Sequence, residues 1–113
     1  DLTLNYSAEK ISQKIIEFFK KITERFPNTS IINLSIKPSF ERIKDIEKIK
    51  KINSLIKTES KTNNKLIQLE FHNELMKENK INSDFYLQDG LHLNTKGYEI
   101  IIKKLKQLLK NLD

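Results

Sequence analysis

Two residues in this chain have the types and spacing of an acid–base pair. Asp89 and His92 stand three apart in Asp89-Gly90-Leu91-His92. A turn between them can fold the carboxylate back onto the imidazole, fixing its tautomer and stabilising the imidazolium. The other ring nitrogen can then take a proton from a nucleophile. Gly90 suits such a turn, because a tight reversal can demand positive φ. The spacing alone is weak: at residue frequencies of about 5% and 2% it arises by chance in roughly one chain in ten of this length. Taken by itself, its default reading is a surface-loop pair that does no chemistry.

The remaining polar residues narrow the chemistry by exclusion. There is no cysteine, which removes thiolate zinc sites, cysteine nucleophiles and disulfide frameworks. His72, in Phe71-His72-Asn73-Glu74, would need a further well-spaced ligand to build a metal site with Asp89 and His92. It is therefore expected to be a loop histidine, and no metal is expected. With only two glycines there is no phosphate-cradling loop, so nucleotide and flavin cofactors are not expected. Arg42 could meet a substrate carboxylate or pair with its neighbours Glu41 or Asp45, the second being the simpler reading.

The elements that must position these residues fit in one domain at most, since 113 residues is a typical single-domain length. The 21 basic and 15 acidic residues give a formal net charge of +6, but the excess is lysine. Arg25 and Arg42 are the only arginines, and no basic run is interleaved with aromatics. Base readout leans on arginine and single-strand binding on stacking, so the charge does not point to nucleic acid. No stretch approaches the roughly 18 apolar residues of a membrane-spanning helix.

Periodicity gives the order helix, strand, helix, strand, helix. Ser7 is an N-cap, and Ile11, Ile15, Phe18, Phe19, Ile22 and Phe26 recur at helical spacing until Pro27-Asn28. Residues 31–36 form a β-branched apolar run that reads as a buried strand. Ser39 can cap a helix of about residues 40–57, striped by Ile43, Ile46, Ile49, Ile52 and Ile56. Thr58 to Asn64 reads as polar loop, Leu66–Leu69 as a second strand, and 73–77 as a brief helical turn within an otherwise polar stretch to Asp84. Asn94 or Thr95 caps the last helix, whose apolar face is Tyr98, Ile101, Ile102, Leu105, Leu108, Leu109 and Leu112. Such alternation argues for an α/β layered fold with the two strands parallel and joined by the middle helix. Two strands are too few for a sheet covered on both faces, and an open edge invites pairing.

The ten residues from Asp89 to Tyr98, Asp-Gly-Leu-His-Leu-Asn-Thr-Lys-Gly-Tyr, resemble the final motif of the SGNH (GDSL-type) hydrolases. The run from Ile32 to Arg42, with Ser35-Ile36-Lys37-Pro38-Ser39 inside it, looks like the strand and loop that one bacterial branch writes as I-S-I-K-P-S-x-x-R. Asp1-Leu2 resembles the tail of the family's G-x-N-D block. The resemblance implies a flavodoxin-like three-layer α/β/α fold with a parallel sheet, in which residues 1–113 are the C-terminal portion of a single domain. It implies ester hydrolysis through a serine acyl-enzyme, with Asp89 orienting His92 as general base, no cofactor, and a small ester as substrate. In the family the serine of G-D-S, a glycine and the asparagine of G-x-N-D supply the nucleophile and oxyanion hole. No serine here follows a Gly-Asp pair, and both glycines lie in the final motif. The expectation is an N-terminus further upstream, with that half of the domain, or another chain, needed to complete the sheet. This chain alone is expected to be inactive. The rival reading is a non-catalytic remnant or interaction module of the same fold.

Overall fold

A computed structural model of the protein describes residues 6–112, so the expectation for Asp1-Leu2 lies outside the described residues. Helix α1 (Ala8–Arg25) starts where Ser7 Oγ accepts the Lys10 N–H at 3.1 Å. Strand β1 (Ile31–Leu34) leads through a single 3-10 turn (Ile43–Asp45) into α2 (Ile46–Thr62), and β2 (Leu66–Leu69) follows. A second 3-10 turn (Asn73–Leu75), the short strands β3 (Met76–Lys77) and β4 (Lys80–Ile81), a third turn (Ser83–Phe85) and helix α3 (Thr95–Leu112) complete the chain.

β1 and β2 pair in parallel in the register Ile31 with Leu66 through Leu34 with Leu69, linked by α2 as the strand–helix–strand pattern requires. β1 is shorter than the apolar run suggests. Ser35 still donates its N–H to Leu69 O at 2.9 Å, but the backbone of Ile36 leaves the ladder for the side chain of Asn53. α2 is shifted from the expected span: it starts at Ile46 after Asp45, not at a Ser39 cap, and runs on through most of the tract read as loop. Its hydroxyls are satisfied within the helix, Thr58 on Ser54 O, Ser60 on Lys57 O and Thr62 on Glu59 O, so polarity there marks a solvated face.

Two apolar cores organise the molecule. The first joins α1, α2 and the sheet through Ala8, Ile11, Phe19, Ile52, Ile56 and Leu66. Ile49, Ile52 and Ile56 of the isoleucine stripe are sealed from solvent, each contributing about 2 kcal/mol on transfer from water. The second core gathers Phe71, Leu75, Ile81, Tyr86 and Leu93, with Ile100 and Ile101 of α3 packed on it. The hairpin of β3 and β4 belongs to this core through Ile81 and departs from the polar stretch expected there. Its loop residues Glu78 and Asn79 both have positive φ (52° and 65°), the geometry of a two-residue type I′ turn.

The helical stripes are only partly buried. Phe18 and Phe26 of the first stripe are 60% and 54% exposed, and Tyr98, Ile102, Leu109 and Leu112 on α3 are about half exposed. β1 has β2 on one side only among the described residues, and its Leu34 is 44% exposed.

Candidate active site

Asp89 and His92 meet as the spacing suggests. The Asp89 carboxylate accepts the Nδ1–H of His92 on Oδ2 at 2.6 Å. Its other oxygen accepts the backbone N–H groups of Leu91 and His92, both at 2.9 Å. The hydrogen bond from His92, then those two backbone donors, hold the Asp89 pKa down to about 2, so the carboxylate is ionised at neutral pH. Gly90 takes φ +68° between them, and a Cβ there would stand 3.0 Å from the Cβ of Phe40. The His92 side chain is 61% exposed, with Nε2 making no hydrogen bond to another described residue.

The loop is fastened on both flanks. Leu87 donates to His92 O at 2.8 Å and Tyr86 bridges Leu93 across an antiparallel pair. Beyond it, Asn94 caps α3, its Oδ1 accepting the Gly97 N–H at 3.0 Å, while its Nδ2 donates to Asp84 O at 2.8 Å. Gly97 is needed for close approach, since a Cβ would stand 2.6 Å from the carbonyl oxygen of Phe85.

Three contacts tie this loop to the segment after β1. Glu41 donates its N–H to Gly90 O at 3.1 Å, the Tyr86 hydroxyl donates to Pro38 O, and the rings of Phe40 and Tyr86 meet edge to face at 5.6 Å. Burial pushes the Tyr86 phenol up to about 12, so it remains a donor across the physiological range. Asn53, buried on α2, grips the same segment from below. It accepts the Ile36 N–H and donates to Ile36 O, each at 2.8 Å. Sequence reading missed Asn53 and Tyr86. The signal for Asn53 was available: it is a lone polar residue four after Ile49 and three before Ile56, on the buried stripe.

The result is a cleft of about 450 Å³ at the C-terminal edge of the parallel strands, lined by His92 together with Ser35, Lys37, Ser39, Arg42 and Tyr98 and by apolar side chains. That edge is where ligands gather in open α/β sheets. Arg42 pairs with neither Glu41 nor Asp45, contrary to the simpler expectation; its N–H donates to Ser39 Oγ at 3.2 Å, and its guanidinium makes no ion pair with another described residue. His72 stands apart from Asp89 and His92, against α2. Its pKa is lowered by burial and then by Lys50, and no group of three metal-ligating side chains forms among the described residues. No described helix is long and apolar enough to cross a membrane.

Among solved structures, the chain is similar to the esterase domain of the ORF1 protein from a zebrafish retrotransposon. There the TM-score is 0.79 at 20% identity, over 94% of this chain and 61% of that one. It is also similar to a Bacteroides fragilis protein assigned as an acylhydrolase, with TM-score 0.78 and 20% identity over 97% of this chain and 55% of that one. A Streptococcus pneumoniae protein assigned as a platelet activating factor gives TM-score 0.75 at 23% identity, over 90% and 51%. The chain thus spans roughly half to three-fifths of each neighbour. No protein-family model matches the sequence. No curated protein matches it either.

Proposed function

We propose, from a fold that resembles the SGNH family, that this chain is the C-terminal portion of a serine ester hydrolase domain and carries its general base. The observation that supports this best is the 2.6 Å contact between Asp89 and His92 at the C-terminal edge of the parallel pair. Asp89 holds Nδ1 protonated, so Nε2 has its lone pair free. A serine from the upstream part of the domain attacks the ester carbonyl while His92 Nε2 takes its proton. The imidazolium then protonates the departing alcohol. In the second half, Nε2 takes a proton from water as its oxygen attacks the acyl-enzyme, and returns it to the serine as the acid leaves. The upstream part also supplies the oxyanion donors and pairs with the open edge of β1, the less buried strand, covering the exposed apolar residues of α1 and α3.

The test is hydrolysis of p-nitrophenyl acetate by the 113-residue chain beside a longer form that includes the upstream sequence. Turnover by the longer form only, lost in His92→Ala, supports the proposal. Turnover by the short chain that disappears in the same variant would place the nucleophile within it, with Ser35 the first to examine, since its buried hydroxyl lacks a partner and its residue lines the cleft. A folded longer form with no activity on any short-chain ester would favour the non-catalytic remnant.

A further inference from the structure

We infer that the cleft beside His92 selects an ester carrying a negative charge, whose anionic oxygens are held by Lys37 and Arg42; this rests on the hydrolase reading above. Both cations lie on the segment after β1, both are half-buried, and both line the cleft with His92. Neither forms an ion pair with another described residue, although Glu41 and Asp45 flank Arg42 in sequence. The carboxylate that Lys37 senses is Asp89, which already accepts three hydrogen bonds.

Holding two like charges at one cleft and partly out of water is unfavourable. Lys37 registers this: burial first, and the Arg42 guanidinium second, lower its pKa. A solvated surface arginine and lysine would separate, yet the fold fixes the segment between them. Pro38 is fully buried, Asn53 fastens Ile36, and Ser39 Oγ accepts the Arg42 N–H. An arginine fork and a lysine point charge on a rigid turn are suited to the oxygens of a carboxylate or phosphate. The apolar lining of the same cleft strengthens such a contact by lowering the local dielectric.

The test uses the full-length protein. Calorimetric titration with acetate and, separately, with inorganic phosphate should show one saturable site, weakened at least tenfold in Arg42→Gln and in Lys37→Met; the tighter probe identifies the anion. In turnover, kcat/KM for p-nitrophenyl hemisuccinate relative to p-nitrophenyl butyrate should fall at least tenfold in each variant, mainly through KM, with Arg42→Lys restoring part of it. A ratio within twofold of wild type in both variants, or no saturable anion site, overturns the inference while leaving hydrolysis intact. Anion binding that depends on Lys37 and Arg42 without turnover of any ester would instead refute the hydrolase reading and leave the anion site standing.

Discussion

Asn53 offers a stability test that does not depend on any functional reading. Its amide serves both backbone groups of Ile36 at 2.8 Å and is 7% exposed. Truncation to alanine leaves a buried donor and a buried acceptor unpaired, at about 1–3 kcal/mol each. Replacing Asn by Ala in a helix returns roughly 0.5 kcal/mol of propensity. The polar groove along α2 adjoins Asn53, so a water can enter the vacated space and recover part of the loss. The expected net cost for Asn53→Ala is therefore about 2–3 kcal/mol. Asn53→Leu fills the volume and excludes that water, so it should cost more, about 3–5 kcal/mol. Asn53→Asp keeps the acceptor for Ile36 N–H but turns a carboxylate towards Ile36 O. Its folded pKa is then raised, the folded state binds more protons than the unfolded, and stability falls as pH rises through that value.

Urea unfolding followed by circular dichroism, with a common slope for the three variants and wild type, measures these costs. If hydrogen bonding governs the position, leucine is worse than alanine. The opposite order, with leucine close to wild type, would mean that filled volume governs and would refute the reasoning. An aspartate variant that gains stability with rising pH between about 4 and 7 would refute it as well.

Three further outcomes are expected around the histidine loop. In Asp89→Asn the amide oxygen can still accept the Leu91 and His92 N–H groups, so the loop persists, but the amide now donates to Nδ1 and moves the ring proton to Nε2; nitrogen NMR of His92 should show the reversed tautomer, and an unchanged one would refute the assignment. The same substitution should abolish an acid-sensitive part of stability: the lowered Asp89 pKa contributes above the unfolded value near 3.9 and is lost as pH falls towards 2, so the wild-type advantage should shrink over that window. Gly97→Ala gains about 1 kcal/mol of helix propensity but forces a methyl to within 2.6 Å of Phe85 O unless α3 shifts. The expected balance is a loss of about 1–2 kcal/mol in urea unfolding, and a variant more stable than wild type would show that α3 slides freely.

What was legible in the sequence was local. The Ser7 and Asn94 caps, the Asp89–His92 turn and the parallel pair linked by α2 all depend on residues a few positions apart or on strong periodicity. The links that seat the site were hidden because they join distant residues: Asn53 to Ile36 across 17 positions and Tyr86 to Pro38 across 48. The hairpin was missed because Glu78 is a poor signal for positive φ, and the end of α2 because serine and threonine read as loop when their hydroxyls are free. A helical stripe also does not say who covers it. Phe18 lies on the same stripe as the buried Phe19, and Tyr98 on the apolar stripe of α3, yet both are exposed.

The contact between Asp89 and His92 does not by itself separate an enzyme from a remnant, because every bond that makes it lies within four residues. A Gly90 turn with a carboxylate cap would form it on almost any scaffold. What a remnant has no physical reason to retain is the surrounding expense. Lys37 and Arg42 sit half-buried without an ion pair to any described acidic residue. Both weaken the fold unless a ligand or a reaction uses them. Relief of either, by Lys37→Met for example, should stabilise the folded chain if nothing negative binds there. The same change should remove anion binding, and that opposition between stability and binding is the signature of a site under functional load.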